Sequence, residues 1–278
     1  MARGLNRVYL IGTLTARPDM RYTPGGMAVL ELTLAGNDLV QDETGIREIP
    51  WYHRVKLLGR QAERWGDALE AGQPLFVEGR LEYRTWEAEG QRKSIVEIRA
   101  DFLDPLDGRQ METVEDARGQ MRLRNALNQA ILMGNLTRDA ELRYTPQGTP
   151  VARMSLAVNE RPRGQAGLGG EPRAASRREH WEEKTHFLEV QAWRDLAEWA
   201  GELRKGEPIL VIGRLVNDSW TSSTGERRYL TRVEATRLER LTRGSGQAGG
   251  PRPQKDRTGG VDIEEGLEDF PPEEDLPF

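Results

Sequence analysis

The sequence predicts an all-β protein in which two similar five-stranded barrels, each with one helix, are followed by an acidic tail. The main observation is an internal repeat: residues 5–37 match residues 127–159 at a constant offset of 122, and 15 of the 33 aligned pairs are identical. Each copy shows the two-residue alternation of apolar side chains that is typical of strands, with a single interval of helical spacing. A duplication of this length indicates two domains of one fold.

The strands of the first copy can be placed in order by this alternation. Turn-forming residues at 24–26 separate the first two strands, and a polar connector with a hairpin turn at 42–45 leads to the third. The second half of the chain repeats the order. In the first copy the strands are predicted over 7–14, 28–37, 51–58, 75–86 and 93–103.

One helix is predicted between the third and fourth strands. Ala62, Trp65 and Leu69 share one face of a helix over 61–71, and Gly72 just beyond it is suited to be its C-cap. Five strands with a helix between the third and fourth is the order of an OB-fold, a small Greek-key barrel. The sequence therefore predicts two tandem OB-folds.

These elements divide the chain into four parts. The two copies differ most between their second and third strands, where the second copy has a long insertion that is rich in glycine and arginine. The last part is first rich in Gly and Pro and then acidic, and we expect it to be disordered because it has too few apolar residues to bury. The parts are a first OB-fold at 1–103, a linker at 104–124, a second OB-fold at 125–242 with a basic loop at 160–184, and the tail at 243–278.

The net charge of −5 hides an uneven distribution. Eight acidic residues and no basic one follow Arg257, and the rest of the chain has 40 basic residues against 37 acidic ones. A slightly basic body with an acidic tail favours a nucleic-acid-binding domain that carries an interaction tail. No leading apolar segment predicts a signal peptide and no apolar run approaches the length of a membrane span, so we expect a cytoplasmic protein.

The composition argues against catalysis. The sequence has no cysteine and three histidines, without the spacing of a zinc protease site, and its glycine-rich insertion lacks the Gly-Lys-Ser/Thr of a phosphate-binding loop. We therefore predict no catalytic residues, no metal site and no cofactor.

Strand alternation also separates the two faces of the first barrel. Val55, Leu57, Leu75, Val77, Leu81 and Tyr83 are predicted to face the core. Aromatic rings next to basic side chains on the opposite face can stack on bases and track a phosphate backbone, a combination that binds single-stranded nucleic acid without sequence preference. The predicted DNA-binding residues of this barrel are Tyr52, Arg54, Lys56, Arg80, Arg84 and Trp86.

The second barrel keeps the aromatic side chains of this face but fewer of the basic ones. Glu189 and Asp218 stand where the first copy has basic residues. This face therefore has less positive charge, unless the basic insertion makes up the difference. We therefore expect the two barrels to bind unequally. The predicted DNA-binding residues are Phe187, Trp193, Arg214 and Trp220 on the strands and Arg161, Arg163, Arg177 and Arg178 in the insertion.

Some aromatic and basic residues allow a plainer interpretation. Trp65 and Trp199 lie on apolar helix faces and are predicted to be core residues, whereas Trp51 can be assigned to either face. Trp181 can stack on a base or anchor a hairpin. Arg80 and Arg84 would form an ordinary solvated charged face if the nearby aromatic rings did not suggest binding.

Several motifs together resemble a known family. They are the repeated Asn-x-x-x-Leu-x-Gly-x-Leu and Arg-Tyr-Thr-Pro stretches, Tyr52-His53-Arg54-Val55, Val77-Glu78-Gly79-Arg80-Leu81 with Trp86, and the terminal Asp275-Leu276-Pro277-Phe278. With them the chain resembles the bacterial single-stranded DNA-binding proteins, in the form that has two OB-folds per chain. In that family the third-strand ring is usually Trp, whereas the two copies here have Tyr52 and Phe187, and the position that matches Trp193 is Leu58 or Gly59.

The resemblance implies a function and partners. It implies sequence-independent binding of single-stranded DNA in replication, recombination and repair, by a homodimer with four OB-folds, in the cytoplasm at the nucleoid. It also implies that Asp275, Leu276, Pro277 and Phe278 recruit partner enzymes, which suits a flexible acidic tether that ends in an apolar Phe and its carboxylate. Two alternatives are an OB-fold RNA-binding or translation protein, which the acidic end disfavours, and a nuclease, which the lack of metal ligands disfavours.

Overall fold

A computed structural model describes residues 4–42, 45–88, 91–160, 184–221 and 227–241. The predicted fold class is confirmed, because within these ranges two closed β-barrels follow each other along the chain. The first barrel contains β1 (Leu5–Leu14), β2 (Asp19–Tyr22), β3 (Ala28–Asp42), β4 (Gly45–Leu58), α1 (Arg60–Trp65), β5 (Pro74–Ala88) and β6 (Gln91–Pro105). The second contains β9 (Leu127–Leu136), β10 (Glu141–Tyr144), β11 (Pro150–Glu160), β12 (Lys184–Trp193), α2 (Asp195–Ala200), β13 (Pro208–Thr221) and β14 (Arg227–Arg240).

Each barrel closes through one parallel pair of strands. In the first, β1 pairs with β3 and β5, and the parallel contact of β4 with β6 joins Val55 to Ile98. In the second, the equivalent parallel contact of β12 with β14 joins Val190 to Val233. These four side chains are buried, and the alternation along every strand directs the apolar residues into the barrels.

Residues 104–124 form a compact connection between the barrels. A turn of 3₁₀-helix at Gly108–Gln110 is followed by a hairpin of β7 (Thr113–Glu115) and β8 (Met121–Leu123), which we call the linker hairpin. Leu123 is buried and pairs in parallel with Gly36 of β3. The linker hairpin is therefore held against the first barrel.

The two barrels join edge to edge into one continuous sheet. β1 pairs antiparallel with β9, from Leu5 opposite Met133 to Ile11 opposite Leu127. At the centre Val8 faces Ala130, its own counterpart at the repeat offset of 122. The two copies are consequently related by a local two-fold axis at this pair.

Three details of the first barrel differ from the sequence-based expectation. Helix α1 ends at Trp65 and not at residue 71. Gly66 follows it with helical dihedral angles, and glycine is needed there because a Cβ would lie 2.2 Å from the Met20 sulfur. The chain then turns so that the Gly72 N–H donates to the Leu14 carbonyl over 2.7 Å, with a φ of +81° that glycine adopts readily. Strands β3 and β4 also continue through the expected polar connector, and the tip of its turn, at 43–44, lies outside the described residues.

The predicted burial of the aromatic residues is also corrected in part. Trp51 is a core residue stacked on His53, with ring centroids 4.9 Å apart, and Trp65 packs against the core. Trp199 was predicted to be core but is 37 % exposed, with the Arg240 guanidinium 5.9 Å from its ring, because the two-turn helix α2 buries only alanines. Tyr83 is half-buried and packs on the other barrel rather than in its own core.

Candidate nucleic-acid interface

The outer face of β4 and β5 carries the predicted binding residues of the first barrel. On β4, Tyr52, Arg54 and Lys56 alternate with the buried His53, Val55 and Leu57. On β5, Trp86 is 45 % exposed near the end of the strand, and Arg84 two residues earlier is exposed as well. The alternation therefore places the stacking and basic candidates on one outward-facing surface.

Most of the basic groups on this surface are already paired with carboxylates. The Lys56 ammonium lies 2.9 Å from Glu97 and 3.3 Å from Glu31, and Arg84 lies 3.3 Å from the same Glu97. Burial would raise the pKa of Glu97, but the hydrogen bonds and charges of Lys56 and then Arg84 outweigh it and lower the pKa below its usual value. Glu97 therefore stays ionised and competes with phosphate for both cations.

Arg54 and Arg80 have contrasting environments. Arg80 forms ion pairs with Asp101 and Glu82 and is half-buried. Arg54 is exposed and forms no ion pair within the part of the chain that the structure describes. An unpaired guanidinium can meet phosphate without first breaking an existing ion pair, so Arg54 is the stronger candidate of the two.

Tyr52 lies where three parts of the molecule meet. Its hydroxyl donates to the Asp116 carboxylate in the linker hairpin, and its backbone carbonyl accepts from the Asn217 side chain over 2.7 Å. Burial and then the hydrogen bond to Asp116 raise the pKa of Tyr52, so its hydroxyl stays protonated near neutral pH. The ring is half-buried and its orientation is fixed by the linker hairpin.

In the second barrel, two predicted binding residues make contacts across the interface between the barrels. The Phe187 ring packs edge-on against Tyr83 of the first barrel, with centroids 5.9 Å apart and an angle of 89°. Arg214 bridges the barrels: its guanidinium lies 3.1 Å from Asp38 and 2.7 Å from Glu234. The structure thus gives both residues an interdomain contact that the strand pattern alone did not indicate.

The remaining predicted residues of the second barrel are placed only in part. Trp193 is half-buried at the end of β12, on the same outer face as the half-buried Arg153 and the buried Gln191. Burial raises the pKa of Glu189 on that face, although Arg138 lies 4.0 Å away. The backbone of Trp220 pairs with Arg228. The side chain of Trp220, the arginines Arg161, Arg163, Arg177 and Arg178, and the tail residues Asp275, Leu276, Pro277 and Phe278 lie outside what is described.

The sequence-based prediction did not include the linker hairpin. Asp116 accepts backbone hydrogen bonds from Arg118 at 2.8 Å and Gln120 at 2.9 Å, and Gly119 adopts a φ of +77°. An Asp followed three residues later by Gly is a recognisable turn signal. The contact of Asp116 with Tyr52 is different, since it depends on how the linker folds back and has no local signature.

No helix in the described ranges is long and apolar enough to cross a membrane. No group of three or more His, Asp or Glu side chains in those ranges is arranged to hold a metal ion.

The model of the single-strand binding protein family matches residues 5–106 and 127–241, which are the two barrels. The chain belongs to this family. It is 72% identical to a single-stranded DNA-binding protein of Thermus aquaticus and 44% identical to one of Deinococcus radiodurans, and both alignments cover all of each chain. The crystal structure of the wild-type T. aquaticus protein aligns with a TM-score of 0.69 at 61% identity, over 91% of this chain and 100% of that one. The matched regions place both strand faces described above within the family's own domains.

Proposed function

We propose that this chain binds single-stranded DNA without sequence preference and thereby protects exposed strands in replication, recombination and repair. The observation that carries the proposal is the exposed Trp86 beside Arg84 and Arg54 on one barrel face, in a family member whose relatives are named for single-stranded DNA binding. A base stacked on such a ring is worth about 1–3 kcal/mol whatever its identity. The proposed role is one of binding, without catalysis, in the cytoplasm at the nucleoid.

The ion pairs on this face predict how binding should depend on salt. Lys56 and Arg84 must leave Glu97 before they can neutralise phosphate, so part of their electrostatic gain is lost. Stacking does not depend on salt in this way. We therefore expect affinity to fall with salt less steeply than a count of basic residues would suggest, and binding to persist at high salt.

The proposal is tested by replacing Trp86 with alanine and measuring the anisotropy of a labelled oligo(dT). We expect affinity to fall about five- to a hundredfold, which corresponds to one stacked base. The matched control is Thr85→Ala, since Thr85 is exposed on the same strand but has the opposite parity. Equal affinities of the two variants would contradict the assignment of this face.

We also propose that the protein acts as a homodimer through the sheet face that joins the barrels. On this face Tyr9 stacks on Phe76 with ring centroids 6.5 Å apart, and the ring centroids of Phe76 and Phe102 are 6.3 Å apart. The local two-fold axis makes the two halves of this face equivalent, so the same face of a second copy can pack against it symmetrically. The half-exposed or exposed apolar residues there are Leu5, Tyr9, Ile11, Phe76, Phe102, Leu127, Ile131, Met133, Leu210 and Ile212.

The dimer is tested by light scattering of an Ile131→Glu variant. We expect this charge at the centre of the apolar face to produce monomers. The control is Leu39→Glu, an equally drastic change at an exposed site on the β3–β4 hairpin. A wild-type protein that is monomeric at all concentrations would contradict the proposal.

The last part of the proposal concerns the acidic tail. Asp275, Leu276, Pro277 and Phe278 end a run of acidic residues with an apolar side chain and an α-carboxylate, which suits an apolar pocket rimmed by Arg or Lys. We infer that this end recruits replication, recombination and repair enzymes.

A further inference from the structure

The linker hairpin is fixed to the first barrel at several independent points. Thr13 donates its hydroxyl hydrogen to the Met121 carbonyl, and Asp116 accepts the hydroxyl of Tyr52. Leu123 of the hairpin is only 4% exposed, and just beyond the hairpin the Ala126 N–H donates to the Asn37 carbonyl over 3.2 Å. A connection whose sole purpose was to join two domains would need none of these contacts.

Strand alternation sets which side chains of the linker hairpin face Tyr52. Val114 lies opposite Arg122, and continuing the alternation places Asp116 on the same face as Arg122. Since Asp116 bonds to Tyr52, Arg122 lies on the side of the hairpin that faces this ring. The charges of Arg122 and Arg118 also act to lower the pKa of Tyr52, against burial and Asp116, which agrees with this placement.

Within the described ranges the two arginines differ from most basic residues of the strand faces, because neither is ion-paired with a carboxylate. Lys56, Arg80 and Arg84 are all paired. Arg118 is exposed at the tip of the turn and Arg122 is half-buried, and neither forms an ion pair with the described residues. The Arg122 Nε is buried with no hydrogen-bond partner in the described ranges. Because this atom has almost no exposed surface, and the Nε atoms of other arginines likewise lack a hydrogen-bond partner within the described residues, a phosphate would contact Arg122 through its terminal guanidinium nitrogens.

Asp116 offsets part of the positive charge of this site while it holds the turn together. One carboxylate oxygen accepts the backbone N–H groups of Arg118 and Gln120, and the other accepts the Tyr52 hydroxyl. The hydrogen bond from Tyr52 and then that from Gln120 lower the pKa of Asp116, and the charge of Arg122 adds to this, so Asp116 is ionised and neutralises part of the arginine charge. Arg118 and Arg122 thus act on the Tyr52 hydroxyl, and Arg54 lies two residues along β4 on the same outer face; none of the three forms an ion pair with the described residues.

We propose that the linker hairpin is part of the DNA-binding surface: Arg118 and Arg122, with Arg54, hold the phosphodiester backbone of a single strand whose base stacks on Tyr52. The strand then crosses the hairpin on its way between the barrels. This inference rests on the proposed single-strand binding and adds to it a site in the linker. Asp116 acts as a positioning residue, because it fixes the Tyr52 ring and shapes the turn that presents Arg118.

The test is the salt dependence of oligo(dT) binding by the full-length Arg118→Ala/Arg122→Ala variant. Each phosphate contact to a single strand contributes a slope of about 0.7 in log K against log [salt], so it is worth about fivefold at 0.1 M salt relative to 1 M. We expect the variant to bind about 25-fold more weakly at 0.1 M salt, with its slope reduced by about 1.4, and to approach the wild type at 1 M. Arg118→Ala alone, at an exposed turn position that cannot disturb folding, should show about half of the change in slope.

The matched control removes the same charge elsewhere. Arg17 and Arg109 are exposed and ion-paired with Asp67 and Asp107, so the Arg17→Ala/Arg109→Ala variant has the same net charge without touching the hairpin. If the hairpin variant matches this control while the wild type binds tightly, the hairpin is not part of the surface. A wild type that fails to bind oligo(dT) would instead overturn the proposed function itself.

Discussion

Replacing Arg214 with alanine separates a structural role of this residue from a DNA-binding one. Its guanidinium lies between Asp38 of the first barrel and Glu234 of the second, and all three side chains are largely buried. Removing it leaves two carboxylates without their cation, while Asn128 still donates to Asp38 over 3.1 Å. Breaking a fully buried pair costs about 3–5 kcal/mol, and the remaining access to water reduces this to about 2–4 kcal/mol. For a domain pair of this size the melting temperature should fall by about 5–15 °C.

The neutral substitution Asp38→Asn should behave differently. Burial raises the pKa of Asp38 above 3.8 and outweighs the lowering by Arg214, so the ionised carboxylate costs stability at neutral pH. That cost disappears as the pH falls through the raised native pKa towards 3.8. Asn at this position removes the cost and leaves Arg214 paired with Glu234, so the melting temperature at pH 7 should change little or rise.

The assay is thermal unfolding of both variants together with oligo(dT) binding, compared with Arg54→Ala. Arg54 is exposed and unpaired within the described chain, so its loss should weaken binding and leave stability within about 0.5 kcal/mol. Arg214→Ala should lower stability and leave oligo(dT) binding unchanged. If Arg214→Ala melted like the wild type and bound DNA as weakly as Arg54→Ala, Arg214 would be a DNA contact and not a bridge between the barrels.

Three further predictions concern other parts of the chain. Trp199→Ala should lower the melting temperature moderately and leave DNA binding unchanged, as thermal melts and titrations can check, because the ring is 37 % exposed under Arg240 and the rest of its apolar area is buried. Burial lowers the pKa of His53 from 6.5 to about 4. The free energy of unfolding should therefore fall by up to about 3 kcal/mol as the pH drops from 6.5 to 4. The His53→Gln variant should show a flatter pH dependence of unfolding. Deleting residues 275–278 should leave oligo(dT) affinity intact and abolish pull-down of replication and repair enzymes; retained pull-down would exclude recruitment by this end.

The barrel architecture was predictable because local sequence patterns determine its strands and their buried faces. The alternation in β1, β4 and β5 and the repeat at an offset of 122 determine which residues face each core. The helix length was wrong because residues beyond Gly66 keep apolar spacing while the chain is already turning to reach Leu14. Spacing reports which side chains are buried, and Leu69 is buried without being helical.

The contacts between the barrels were not predictable from one sequence. Arg214 is 176 residues from Asp38, and Tyr83 meets Phe187 only because β1 pairs with β9. Strand parity correctly placed Arg214 and Phe187 outside their own barrel, but it wrongly assigned Tyr83 to the core. It could not distinguish a surface open to DNA from one covered by the other barrel, since that depends on the docking geometry.

The central claim is most directly tested by intrinsic tryptophan fluorescence during titration with oligo(dT) and, separately, with duplex DNA of the same length, each at low and high salt. Stacking of bases on exposed rings such as Trp86 predicts strong quenching by the single strand alone, weakened but not eliminated by salt. The absence of quenching, or equal binding of the duplex, would contradict single-strand binding by these barrel faces.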